Sequence, residues 1–301
     1  MDLDLAIKQY LLDCEVKNYT ARTLKSMRER LRLWRNFCIE EGVTTTEEMN
    51  VVLVKEYITI LLRRKLSTTY IRGILSCIKT FIDYCQKERI CDVNTKLDWF
   101  NIKVDKPVIK AFNSRDIKTL LDSCKGSRFL DVRDKTILTL FFETGIRCAE
   151  LINMQDSDIK EDYIIVHGKN HKDRLVPITP ILQQELSKHQ MARAKYFRYR
   201  TIHDNNTFLS QTGRILTTSA VEHILKKRGE GIKDVRISPH TCRHTFAQQQ
   251  ALMGTDVYTI SRILGHENVQ ITQTYLNSLE AESIVKMARG RSVLGNLGKK
   301  K

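Results

Sequence analysis

The sequence lacks the features that mark membrane, secreted and metal-cluster proteins. No run approaches the ~18 uninterrupted apolar residues needed to span a bilayer, and Met1-Asp2-Leu3-Asp4 opens acidic, unlike the basic start of a signal sequence. The eight cysteines (14, 38, 77, 85, 91, 124, 148 and 242) form no C-x-x-C pair, so reduced, buried thiols are expected rather than disulfides or a zinc site. Prolines number only four, and no internal repeat or low-complexity segment is visible apart from the terminal "GKKK". These absences point to a soluble, intracellular globular chain.

What is present is length, apolar content and positive charge. At 301 residues and 42% hydrophobic, the chain suits two packed domains better than one core. The net charge of +15 is uneven. Residues 1–105 carry 18 Lys/Arg against 15 Asp/Glu, whereas residues 106–301 carry 32 against 20. An excess of that size on one half indicates a polyanionic partner. Nucleic acid is favoured over membrane because no basic amphipathic anchor is present.

The first hundred residues have a helical period. Leu3, Ile7, Tyr10, Leu11 and Cys14 share one face, and Thr20 caps a long second helix that stops near Gly42. A third helix is expected from about Val51 to Lys65 and a fourth after Ser67-Thr68-Thr69, giving a helical bundle over residues 1–92. Residues 93–111 have neither period and read as a linker ending at a cap, Asn113 or Ser114. A second domain, 112–301, opens with "SRDIKTLLDSCKG" and "RDKTILTLFFETGIRCAELINM" as helices. "YIIV" and "RLVPI", joined by "HGKNHKD", then read as a β-hairpin with Gly168 in its loop. The fold class expected is mainly α with a small antiparallel sheet in the second domain.

Four stretches of that domain carry chemistry. In "TGIRCAEL", Arg147 and Glu150 stand three apart, which on a helix is an ordinary surface ion pair. In "SPHTCRHTFA", Ser238-Pro239 starts a helix, and His240 and Arg243 project from its first turn, where backbone N–H groups favour an anion. An arginine fork holds two non-bridging phosphate oxygens and an imidazole adds a third hydrogen bond. Zinc at His240, Cys242 and His244 is disfavoured, because that spacing does not put three ligands on one face. In "GKNHKD", Lys169 is either a turn lysine or a groove-reaching proton donor. In "LGHENVQITQTY", Tyr275 follows His266 by nine residues. A phenol with a pKa near 10 attacks only a target that is electrostatically activated, which arginines and imidazoles around a phosphodiester supply. Alone, Tyr275 reads as a packed ring sooner than as a nucleophile.

Taken in order, Arg147, Lys169, His240-x-x-Arg243, Gly265-His266 and Tyr275 resemble the tyrosine recombinase (phage integrase) family. The resemblance runs across the whole second domain, while the first domain matches only in its helical pattern. It implies an N-terminal core-binding domain and a C-terminal catalytic domain closing on duplex DNA as a C-shaped clamp. It also implies that Tyr275 attacks the scissile phosphate to form a 3′-phosphotyrosyl link, that Arg147 and Arg243 hold the non-bridging oxygens, and that Lys169 protonates the leaving 5′-oxygen. His240 and His266 bind the phosphate or move protons, with His240 the better base on Tyr275, and Glu150 orients the histidine of the H-x-x-R box. Neither ATP nor a metal or other cofactor is implied. A homotetramer on two double-stranded DNA sites, working through a Holliday junction in a prokaryotic, nucleoid-associated cytoplasm, is.

Further DNA contacts are expected at Lys172, Arg174, Arg193, Lys195, Arg198 and Arg200, although the basic and aromatic stretch 188–200 reads equally as a solvated helix face. "SLEAESIVKMARG" reads as an amphipathic helix with Leu279, Ile284, Val285 and Met287, docking on a neighbouring protomer or on its own domain. The layout is that of minimal two-domain recombinases, with no room for an added N-terminal arm-binding domain. Two alternatives remain: a type IB topoisomerase, which swivels and reseals one strand, and a DNA-binding accessory factor without cleavage. Transposition, integration, excision, inversion and dimer resolution are not distinguished.

Overall fold

In the computed structural model, which describes residues 1–91, 102, 110–168 and 172–276, the chain divides between Pro107 and Val108 into two units. That division falls inside the 93–111 stretch, most of which lies outside the described residues. Four helices build the first unit: α1 (Leu3–Val16), α2 (Ala21–Glu40), α3 (Val51–Arg63) and α4 (Thr68–Lys87). Each begins where a short polar side chain, Asp2, Thr20, Asn50 or Ser67, accepts a first-turn amide that would otherwise be unpaired. Their apolar faces meet around fully buried Trp34, Leu31, Ile78 and Phe81, with Tyr57 edge-on to Trp34 at 5.3 Å.

The second unit starts at α5 (Ser114–Asp122). Asn113 accepts the Asp116 amide and Asp116 returns the bond to the Asn113 amide, a reciprocal cap. Helix α6 (Phe129–Thr144) buries Ile137, Leu138, Leu140 and Phe141 completely, each contributing roughly 1.5–3 kcal/mol of transfer free energy. Here the structure departs from a continuous helix through "ETGIRCAEL". Gly145 turns left-handed at φ 60°, and a new short helix α7 (Cys148–Asn153) begins after Arg147. A Cβ at Gly145 would lie 2.6 Å from both Leu264 and Phe246, so the turn needs glycine for its dihedral and for the close approach.

Strands β1 (Tyr163–Val166) and β2 (Arg174–Pro177) pair antiparallel with Val166 opposite Arg174, so the hairpin ends at residues 167–173. Helices α8 (Pro180–Phe197), α9 (Thr218–Arg228), α10 (Pro239–Leu252), α11 (Val257–Leu264) and α12 (Val269–Leu276) follow. The expected start of α10 is observed: Ser238 caps the Thr241 amide and Pro239 takes the first helical position. Phe246, Ala247, Ala251, Ile260 and Leu264 form a small separate core that also takes in Tyr275. Among the described residues the architecture is mainly helical with one two-stranded sheet. All eight cysteines are free, seven of them buried. Among the described residues no helix is long and apolar enough to cross a membrane.

Candidate active site

Two helix ends in the second unit supply backbone oxygens for two arginines. The left-handed Gly145 ends α6 and the left-handed Gly265, at φ 65°, ends α11. Arg243, on α10 and 3% exposed, donates to the Gly145 carbonyl and to the Leu264 carbonyl, both at 2.7 Å. Arg147, just before α7, donates to the Gly265 carbonyl at 2.8 Å. The two guanidiniums thus share the same pair of helix ends, Arg243 bridging both and Arg147 bonded to the Gly265 turn. Burial, together with the Arg147 charge, lowers the Arg243 pKa to about 10, still well above neutrality.

Glu150 ties this pair to the hairpin. It accepts the Arg147 amide and guanidinium, both at 2.8 Å, and a two-pronged grip from Arg174 of β2 at 2.9 and 2.7 Å. Burial alone favours the neutral acid, but the Arg174 fork and the Arg147 bonds outweigh it and hold the carboxyl below its usual range. Arg174 also donates to the Ile263 carbonyl at 2.7 Å. The base of the hairpin turn is pinned by His167, 2.8 Å from Asp173 and 3.2 Å from Asp158, and Lys172 reaches Glu267 at 3.1 Å. Lys169 itself lies outside the described residues.

Tyr275, on α12 and 7% exposed, sits among three imidazoles. Ring centroids lie at 5.7 Å for His240, 5.0 Å for His244 and 5.4 Å for His266. The Gln248 amide donates to the Tyr275 carbonyl at 3.2 Å, fastening the end of α12 to α10. His266 Nδ1 is 2.7 Å from the Thr272 hydroxyl. Burial, then the charges of Arg243 and Arg147, push His266 down to about 3; desolvation and Arg243 also lower His240. Both rings are thus held toward neutrality beside two fixed positive charges, an arrangement suited to a doubly bonded anion. Cys242, between His240 and His244 in the sequence, is fully buried in the main core.

A model of the phage integrase family matches residues 110–282, the region that holds every motif of the site. The chain belongs to the phage integrase family. Its curated relatives include the tyrosine recombinase XerC of Thermodesulfovibrio yellowstonii, 29% identical over 266 residues that cover 86% of each chain. The tyrosine recombinase XerC of Bacillus pumilus is also 29% identical over 266 residues, covering 86% of this chain and 87% of the relative. Among solved structures, the XerH site-specific recombinase bound to a palindromic difH substrate superposes with a TM-score of 0.74 at 16% identity, covering 90% of this chain and 80% of that one. The Tn1549 transposon integrase in complex with a circular-intermediate DNA gives 0.72 at 15% identity, covering 96% and 99%. These likenesses establish the fold, and membership in the family implies DNA strand cleavage and rejoining.

Within this integrase family chain, the expected positions fall into distinct groups. Arg147, Arg243, His240, His266 and Tyr275 converge on one locus. Glu150 is there too, but it grips Arg147 and Arg174 rather than His240. Arg174, expected among the DNA contacts, is not an exposed side chain: it is 9% exposed and spent on Glu150 and the Ile263 carbonyl. Arg193 is likewise 14% exposed, bonded to Asp156 and to the Asn206 carbonyl, because the turn Asp156–Asp158 rises beside α8. Lys172, Lys195, Arg198 and Arg200 keep exposed surface, with Arg200 over the Tyr196 ring at 4.2 Å. The proposed helix with Leu279, Ile284, Val285 and Met287 lies outside the described residues. Sequence reasoning gave no role to His244, Thr272 or Gln248. Their spacing from Tyr275 on α10 and α12 was visible, but nothing in one sequence shows which faces of two helices meet.

Proposed function

We propose that the protein is a site-specific DNA recombinase in which Tyr275 is the nucleophile. One observation carries the reading: the Tyr275 ring is enclosed by His240, His244 and His266 in the same unit that seats Arg147 and Arg243 on backbone carbonyls. The Tyr275 phenolic oxygen bonds to the scissile phosphorus, and the phosphorus–5′-oxygen bond breaks. The phenol's proton passes to an imidazole, and the departing 5′-oxygen takes a proton, which we assign to Lys169. Arg147 and Arg243 hold the non-bridging oxygens as charge builds on them. Because both are fixed before DNA arrives, little reorganisation opposes the step, and each such donor is worth roughly 3 kcal/mol of barrier.

The phosphodiester energy stays in the phosphotyrosyl link, so resealing by a free 5′-hydroxyl needs neither ATP nor a metal. Exchange between two duplex sites requires a nucleophile on each strand, hence four protomers. The exposed Lys172, Lys195, Arg198 and Arg200 are offered to backbone phosphates. The test is a pool of nicked duplexes with randomised cores, from which SDS-stable protein–DNA adducts are recovered. The wild type yields adducts and Tyr275→Phe binds the recovered duplexes without forming any. An undiminished adduct from Tyr275→Phe moves the nucleophile elsewhere; no adduct where binding is demonstrated removes the enzyme reading. Adducts without exchange between two sites favour strand swivelling.

A further inference from the structure

A neutral imidazole has one N–H and one bare nitrogen, and which is which decides whether His266 gives or takes a proton. One nitrogen is already engaged, since Nδ1 lies 2.7 Å from Thr272 Oγ1. The molecule itself shows how that contact is polarised. Elsewhere in the same unit the helical residues Thr136, Thr144, Thr245 and Thr274 send their hydroxyl proton to the carbonyl four residues back, at 2.6–3.0 Å. Thr272 does not, although it shares α12 with Thr274. It is fully buried, and its one hydrogen bond among the described residues is to His266. Were Nδ1–H the donor, the buried hydroxyl proton would have no acceptor, an arrangement folded proteins avoid. With the hydroxyl donating to Nδ1, both groups are satisfied.

We propose that Thr272 is a positioning residue that holds His266 as the Nε2–H tautomer, making it a hydrogen-bond donor to the scissile phosphate and barring it from acting as base on Tyr275. The inference rests on the recombinase reading above. The phenolic proton then falls to His240. Thr272 and Tyr275 stand three residues apart on α12, so seating that helix on α10 and α11 delivers the nucleophile and sets the neighbouring histidine in one event. A helix not seated would leave Nδ1 without its donor.

The test has two arms on the full-length protein. In the first, nitrogen-15 histidine spectra at neutral pH give the tautomer of His266 directly, assigned by comparison with His266→Gln. The expected result is a bare, pyridine-type Nδ1 and a protonated Nε2 in the wild type and in Thr272→Ser, and mixed character in Thr272→Val. A protonated Nδ1 in the wild type overturns the proposal with no variant needed. In the second, single-turnover adduct formation is measured on a recovered nicked duplex at saturating protein. Thr272→Val should cleave ~10-fold more slowly at unchanged DNA affinity, with Thr272→Ser restoring most of the rate. Equal rates for Val and wild type, or a Ser variant as slow as Val, refute it. A wild type that forms no adduct defeats the recombinase reading instead, and the spectra still report the tautomer.

Discussion

Replacing Arg174 with Met tests the network that links the hairpin to Arg147. Arg174 and Glu150 are 9% and 8% exposed, and the substitution deletes three hydrogen bonds of 2.7–2.9 Å, two to Glu150 and one to the Ile263 carbonyl. Removing one partner of a buried ion pair costs roughly 3–5 kcal/mol, because the other charge stays behind in a poor solvent. Arg147 still supplies two bonds to Glu150, which puts the expected loss near the lower end, about 3 kcal/mol. The sign of its pH dependence follows from Glu150. A carboxyl depressed in the fold contributes stability that is present above the unfolded pKa of about 4.3 and is lost as pH falls through the lower folded value. Without Arg174, burial dominates and the Glu150 pKa rises, so the variant takes up a proton earlier and sheds its stranded charge. The gap between wild type and variant is therefore widest near neutrality and narrows toward about pH 4.5. Urea unfolding followed by far-UV ellipticity at the two pH values measures it, with amide exchange in α10 assigning the transition to the second unit. A loss below about 1 kcal/mol at neutral pH, or a gap that is the same at both, would refute the reasoning.

Three further outcomes are expected. Gly145→Ala forces a Cβ to within 2.6 Å of Leu264 and Phe246 at φ 60°, and should cost about 1–3 kcal/mol in urea unfolding while also displacing the carbonyl that holds Arg243. His189 is fully buried, with neither ring nitrogen partnered, and burial followed by the Arg193 charge lowers it to about 4. Its share of stability is complete above the unfolded pKa of about 6.5 and falls away as pH drops toward 4; His189→Leu should make the stability–pH curve shallower across that window, with the lowered His266 and His240 still contributing to its slope. Lys195→Ala should lower the slope of log affinity for duplex DNA against log salt by about 1, whereas Arg193→Ala should leave that slope unchanged and reduce stability, since its head group is committed to Asp156.

Much of this site is legible in one dimension because its parts are encoded by local spacing. Ser238-Pro239 announces a helix start, so His240 and Arg243 fall on its first turn, and "YIIV" with "RLVPI" announces a hairpin, whose register of Val166 opposite Arg174 the structure supplies. The four helices of the first unit follow from their apolar periods, with Thr20 and Ser67 marking two of the starts, whereas the caps at Asp2 and Asn50 emerge only in the structure. Contacts that join distant segments are not legible. Arg174 is one of several basic residues near a turn until Glu150, 24 positions earlier, is seen to accept both prongs of its fork. Arg193 looks like a free charge on a basic helix until Asp156 and the Asn206 carbonyl fill its donors. The break at Gly145 was hidden for a different reason: the apolar period runs through it on both sides, and only the left-handed dihedral interrupts the hydrogen bonding. Where α3 and α4 end is similarly masked, because Lys65 and Arg89 take left-handed conformations usually given to glycine or asparagine.

The crossing of Arg147 and Arg243 onto the Gly145, Leu264 and Gly265 carbonyls has a consequence for how such a site is mapped. The oxygens sit at the C-terminal ends of α6 and α11, where aligned peptide dipoles carry partial negative charge, so each guanidinium rests in a socket partly neutralised before any phosphate arrives. Those sockets are main chain. A side-chain scan would flag the arginines and two glycines with no polar group to explain them, and would miss the acceptors entirely. Grafting the arginines onto another scaffold without the two helix ends would transfer the charges but not the balance that makes them affordable in a buried place.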